Sequence, residues 1–459
     1  MAASTERFCT LARSSLRVLL WMAAVCAAML CLRSVAWSQA PDPNAPAVRQ
    51  INTIPINGTA GNRANKMFSF GRSWVDGSGL VFLADRSNAA IDVIDTSGRF
   101  TGTPDSLFGQ IGGAAFNFAG DTGSDATSGP NGVIRAFPCI FVTDGNSRVI
   151  SINETISFIQ PVASVSTGGQ FRADGLAFAF PPGQPMLLVI NDADTPPFAS
   201  SIPVNTSTCA LGTPLRIPFK TALLNATNGA GQPVWLPPLP GGPPAFFFYV
   251  PIPEVNGPGG GGPNGGIARI TLLSTPSIDA FYPINFCQPS GLTVDEFAPF
   301  DLLVQCSTVF DTSGRACTPV VPAPGTGAAP ATCAGIAYPQ VAICNVTPGR
   351  DCTGNALVSV PGPGGGDQVW FNFMDGNYYI TGGNNPVGPN FGIVKSGSNT
   401  LTQLVPTLPP VPAVPGVHSA GSAHSIVASP VNNRIYVPLP ANTSYPNCTQ
   451  GCVAVFSAQ

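Results

Sequence analysis

Charge is what this chain has least of. Lys and Arg number 20 and Asp and Glu 23 among 459 residues, or 9%, against roughly 25% in ordinary globular domains. With a net charge of −3, no basic surface is available for nucleic acid or acidic lipid. Few charges beside 44% hydrophobic residues also exclude a disordered chain, which has the opposite balance. Histidine is scarcer still. His418 and His424 are the only two, so imidazole chemistry has to use them, and their surroundings offer no acidic neighbour for a paired metal site. No Cys-x-x-Cys pair occurs, which argues against zinc, and without Cys-x-x-Cys-His there is no c-type haem attachment. No Gly-x-Ser-x-Gly elbow presents a serine nucleophile. The glycine runs Gly259–Gly262 and Gly364–Gly366 have no following Lys, so they are turns rather than phosphate loops.

Long apolar runs are absent too, except at the N-terminus. Arg7, Arg13 and Arg17 precede the run from Val18 to Leu32, and Ser38-Gln39-Ala40 supplies small residues before Pro41. A basic start, an apolar core of about 15 residues and a small-residue site form a secretory signal, and the core is shorter than the roughly 20 residues a spanning helix needs. Residues 1–40 are therefore expected to be a cleaved signal peptide, with no membrane span afterwards and a periplasmic or extracellular destination. The cysteines agree with that. Of 13 in the chain, Cys9, Cys26 and Cys31 leave with the signal, and the even remainder can pair in an oxidising compartment. Spacing suggests Cys448–Cys452 across a short loop, Cys344–Cys352 across a turn, Cys287–Cys306 on neighbouring strands and Cys317–Cys333 within one loop. Cys139 and Cys209 are left over, their pairing open.

What the chain has in abundance is glycine and proline, 51 and 49, and they punctuate short apolar runs. The stretch from Ser73 to Phe100 holds three of these, SWVD, LVFLAD and AIDVID, separated by turns. Apolar residues alternating at period two, with β-branched and aromatic types, read as strands, and three in a row joined by tight turns read as an antiparallel meander. The unit returns from Gly129, Arg172, Gln232 and Gln288, again with GGDQVWFNFMDGNYYITGG, and finally with SAHSIVASPVNNRIYVPL. Its last run repeats recognisably: AIDVID, RVISIN, GIARIT, QVAICN, FGIVKS, CVAVFS. No such unit can bury both sheet faces alone, whereas radial stacking buries each against its neighbours. The expected fold is all-β, a seven-bladed β-propeller over residues 41–459, with a Cys-containing loop insertion at 313–340. The last unit ends the chain without an outer strand, and Val48 to Ile56 reads as a lone strand before the first unit. It is expected to complete the last blade and protect its edge.

In such a ring the first residues of the innermost strands face the channel mouth. Aligning the units puts Asn131, Asp174, Gln232, Ser290, Asp367 and His424 there, with Gly71 or adjacent Arg72 in the first unit. Convergent polar side chains are where a ligand is expected. Asp174, Asp367 and Asn131 offer hard oxygens to Ca²⁺ or another divalent metal, and His424 a base or hydrogen-bond donor. The alternative is that these side chains cap inner strands and hold channel water. Asp85 and Asp144, at equivalent second-strand ends, read as turn-binding aspartates.

The segments ADRSNAAIDVID and DGNSRVISIN resemble the blades of exported bacterial YVTN-type and NHL-type propeller repeat proteins. GPNGV, RADGLAF, GGGDQVWFN and AHSIVASPVNNRIYVPL are similar to a group within that set. The resemblance spans the mature chain and implies the fold. More distantly it extends to gluconolactonase-like propellers, which implies a metal-dependent lactonase-like hydrolase as a second reading. Those enzymes hold their metal with a Glu, Asn and Asp side chains, and the ring here has no matching Glu, since Glu254 lies in a loop. The first reading is an exported binding or scaffold protein for a small molecule, a glycan or a protein.

Overall fold

The computed structural model describes residues 48–56, 68–158, 160–181, 183–236, 246–257, 265–272, 275–295, 301–310, 340–345, 357–383, 385, 388–407, 423–442 and 445–457. They form seven antiparallel sheets arranged as blades, each numbered from the first complete unit. The innermost strands are Phe70–Val75, Val133–Ala136, Leu176–Ala179, Val234–Leu236, Cys287–Val294, Val369–Asn372 and Val427–Ala428. Each touches the innermost strands of both neighbouring blades, and the seventh touches the first, so the ring is closed. Second strands such as Leu80–Asp85 and third strands such as Ala90–Asp95 follow, in the places the repeat assigns them. A fourth, outer strand completes each blade, for example Ser106–Gly112, Ser277–Ile284 and Thr400–Pro406. In blade 3 two short strands, Ala210–Leu211 and Leu215–Pro218, share that edge.

Apolar contact between blades builds the core. Seven separate hydrophobic clusters occupy the seven seams. In Leu80–Asp85, Phe82 and Ala84 pack toward blade 2 while Val81 and Leu83 pack toward blade 7. Alternate side chains leave opposite faces of a strand. A strand buried on both faces therefore reads as a continuous apolar run rather than an alternating one. Outer strands sit at the rim and mix exposed with half-buried positions.

Gln50–Pro55 is the outer strand of blade 7. It runs antiparallel to Cys452–Ser457, pairing Gln50 with Phe456 and Pro55 with Cys452. Ile54 and Ile56 enter the seam between blades 7 and 1, and Val48 the seam between blades 6 and 7. The N-terminal strand thus closes the propeller. A polar latch reinforces the same seam: Asp105 of blade 1 accepts from Arg434 and from the Tyr436 hydroxyl of blade 7.

Three disulfides are described, Cys139–Cys209, Cys287–Cys306 and Cys448–Cys452. The first, left open by the sequence, joins the second strand of blade 2 to the outer part of blade 3 across their seam, with 5.5 Å between Cα atoms. Cys344 is also disulfide-bonded, and its expected partner Cys352 lies outside the described residues. So do Cys317, Cys333, residues 1–40 and the insertion through residue 339.

Two aspartates of the third strand of blade 1 set opposite pH dependences. Asp92 is buried beside Asp85, and burial first, then that neighbour, pushes its carboxyl well above the usual range. Gln110 donates to its Oδ1 at 2.7 Å. Native Asp92 keeps a proton that the unfolded chain releases near pH 4, so this contribution is full below about pH 4 and is lost as pH rises. Asp92→Asn, an isostere of the protonated form, is expected to raise the melting temperature at about pH 8 by a few degrees and to flatten the neutral pH slope. An unchanged slope would sink this account. Asp95 behaves oppositely. Burial raises its pKa, but backbone amides of Thr101 and Phe100 and the contacts of Ser97 outweigh that and lower it to about 2. Its contribution is present above about pH 4 and is lost as pH falls toward about 2. Asp95→Ala is expected to cost about 2 kcal/mol in urea titrations near neutrality and progressively less in acid.

Candidate functional site

The inner strands begin, and the second strands end, at one end of the channel. There the inner strand of each blade carries, at or near that end, a glycine-containing pair: Gly71-Arg72, Asn131-Gly132, Asp174-Gly175, Gly231-Gln232, Ser290-Gly291 and Gly366-Asp367. Only blade 7, with Ala423-His424, departs. The glycine lets the next blade's backbone come close. A Cβ on Gly71 would lie 2.9 Å from Asn131 Cα, and one on Gly231 3.0 Å from the Ser290 carbonyl carbon. Arg72 N donates to Asn131 O at 2.7 Å in the same approach. Between blades 6, 7 and 1 the ring is closed by side chains instead. Gln368 Nε2 donates to Ser73 O at 2.8 Å, Ser425 Oγ to Gln368 Oε1 at 2.5 Å and Ser73 N to Ser425 Oγ at 2.8 Å.

Arg72 dominates the mouth. From blade 1 its guanidinium donates to Gln232 Oε1 of blade 4 at 3.0 Å. It also lies 3.8 Å from the Asp174 carboxylate of blade 3 and 3.7 Å from that of Asp367 of blade 6. His424 Nε2 of blade 7 is 3.5 Å from Asp367. Asp174, Gln232, Asp367 and His424 therefore gather around one arginine. Asn131 and Ser290 instead face the seams. Asn131 Nδ2 donates to Ser128 O and Ala173 O, and Ser290 Oγ to Gly366 O. The two carboxylates assigned to a divalent cation do converge on a common positive charge, and that charge is the chain's own guanidinium.

A second layer comes from connections without any repeat. Arg86 and Asp192 follow second strands, and Asp125 and Arg172 lie between blades. Arg172 pairs with Asp192 at 2.7 Å and approaches Asp174 at 3.6 Å, while Arg86 pairs with Asp125 at 2.7 Å. Burial alone would raise the Asp174 pKa, but Arg172, Arg72 and Arg86 together hold it below the ordinary carboxylate range. Burial, then Asp174, lifts Asp192 to about 6. Burial, then Arg172, lowers Arg86. Sequence reasoning marked the acidic turn Asn191 to Asp194 as a possible cation holder but did not bring this layer together, because these residues belong to no strand period. The one available signal is the Arg at position 172, two residues before the ring aspartate in RADG.

Deeper along the inner strands of blades 1 and 6, Trp74 and Trp370 meet across the axis edge to face, their ring centroids 5.2 Å apart. The two rings lie two and three residues along these strands from Arg72 and Asp367. As expected, Asp85 accepts from its own turn, from Asn88 N and Ser87 Oγ; Asp144 accepts instead from Ala119 N of an earlier connection and from the Arg148 side chain.

No family model matches the chain, and no curated protein matches it. Among solved structures it is similar to the WD40 β-propeller domain of Doa1, at 10% identity and a TM-score of 0.51, covering 90% of this chain and 98% of that one. A catalytically inactive virginiamycin B lyase from Staphylococcus aureus, with quinupristin, gives 9% identity and a TM-score of 0.48 over 87% of this chain and 98% of that one. The Pan2 WD40 domain of Neurospora crassa gives 8% and 0.47 over 85% and 90%. The chain is a seven-bladed β-propeller, and at these identities the likeness speaks for fold alone.

Proposed function

We propose that the chain is an exported binding protein of the YVTN/NHL repeat type whose ligand site is the charged rim of the channel mouth. One observation carries this reading: Arg72, Asp174, Gln232, Asp367 and His424 come from five different blades and meet at one end of the axis. Burying an arginine with two carboxylates from other blades is costly for stability, and convergent polar groups in a concavity are the usual mark of a ligand site. Export is supported by the N-terminal charge and apolar pattern and by the disulfides, which persist in oxidising compartments. Thermal-shift screening of the protein against a metabolite library, repeated with Asp367→Asn, tests the site. The reading expects at least one compound that stabilises the native protein and loses its effect in the variant. Stabilisers that act equally on both proteins would remove the mouth from consideration.

A further inference from the structure

Resting on that binding reading, we propose that the channel mouth takes a neutral polyhydroxylated ligand, a saccharide or sugar alcohol, rather than an ion. The contacts around Arg72 are attractive but loose. Its distances of 3.8 Å to Asp174 and 3.7 Å to Asp367, like the 3.6 Å from Arg172 to Asp174, exceed the N–H···O range of about 2.7–3.2 Å. Asp174 is only 7% exposed, yet among the described residues no group donates a hydrogen bond to its carboxylate. The Asp367 carboxylate likewise has only the His424 and Arg72 approaches. Gln232 uses its amide oxygen on Arg72, leaving its NH₂ to donate.

What fits between these groups must therefore give hydrogen bonds to two carboxylates and receive them from a guanidinium and an amide. The signs of charge decide its class. Every carboxylate at the mouth lies within 4 Å of an arginine. An anion pairing with Arg72 would face Asp174 and Asp367, and a cation pairing with those aspartates would face Arg72. A hydroxyl donates and accepts at once. Neighbouring hydroxyls can thus bridge carboxylate to guanidinium without adding charge. The Trp74–Trp370 pair, further along the same strands, offers apolar surface for the C–H face of a ring.

The test is calorimetric titration of the protein with a panel of neutral mono- and disaccharides and sugar alcohols. Succinate, putrescine and CaCl₂ serve as ionic probes, and each titration is done at low and high salt and repeated with Asp367→Asn and with Gln232→Leu. The expected result is that a neutral member binds, that its affinity barely changes with salt, and that each variant weakens it by about tenfold or more. Thermal melts of both variants, whose sites are part-exposed, verify that they remain folded. Variant-sensitive binding confined to an ionic probe would overturn the polyol assignment and leave the binding site standing. No variant-sensitive binding of any probe would overturn the polyol assignment, and the broader reading would then fall or stand by the library screen.

Discussion

Gly71→Ala is expected to cost more than about 4 kcal/mol, an effect large enough to mark a backbone collision rather than a lost contact. The added methyl would overlap the Asn131 carbonyl and lie 2.9 Å from Asn131 Cα. Both are main-chain atoms of the next blade and cannot swing aside as a side chain would. That carbonyl also receives the Arg72 amide, so relieving the clash breaks the bond that joins blades 1 and 2 at the axis. Gly231→Ala is expected to behave alike, because the obstacle there is the Ser290 backbone. Gly77 supplies the comparison: nothing lies within 4 Å of a Cβ built on it, and Gly77→Ala is expected to stay within about 0.5 kcal/mol of the native protein. Urea titrations of the three variants decide the matter. Equal midpoints for Gly71→Ala and Gly77→Ala would show that the blades tolerate separation at the channel.

Arg72→Met is expected to cost about 3 kcal/mol near pH 7, the lower end for removing one partner of a buried ion pair. The lower end applies because Asp174 keeps Arg172 and Arg86 and Asp367 is partly exposed. Methionine preserves much of the volume, so the loss reports charge and hydrogen bonding. Without Arg72 the native pKa of Asp174 rises, because one of the guanidinium groups holding it down is gone, and the deficit is expected to narrow as pH falls and that carboxylate accepts a proton. Lysine is expected to recover only part of the loss, since one ammonium cannot match a planar group that reaches three blades. Denaturation midpoints at about pH 7 and about pH 5 measure this. A deficit that does not shrink in acid would mean Arg72 acts through packing alone.

The units were legible because short strand-forming runs recur between turns, although the alternation expected of them is not what the blades need: the second strand Leu80–Asp85 is buried along its whole length. Phe82 and Leu83 are neighbours in sequence that serve different seams, and only an element covered on both sides needs such a run. The outer strands were harder to count. Ser106–Gly112 and Thr400–Pro406 mix polar, exposed and half-buried positions, so their composition resembles that of the loops around them. At the mouth, six positions could be aligned, yet alignment says nothing of where a short side chain turns. Asn131 and Ser290 turn to their own seams. Arg72 was visible only as a neighbour of Gly71, because its importance depends on reach across the axis to Asp174, Gln232 and Asp367. That is a property of three-dimensional closure, not of any local pattern.

The strand Gln50–Pro55 has a consequence for the order of events during synthesis. Its hydrogen-bonding partners, such as Ser457 for Arg49, stand 408 residues later in the chain. A ribosome delivers one of the four strands of blade 7 before blade 1 and the other three after blade 6, at about 5–20 residues per second. Blades 1 to 6 can assemble in sequence as they emerge, each from neighbouring segments. The seventh must wait for the last residues, and until then the early strand presents an unpaired edge. Completion of the ring thus waits, by topology, for its last strand, and any partner that holds the nascent chain has about 20 to 80 seconds in which to do so.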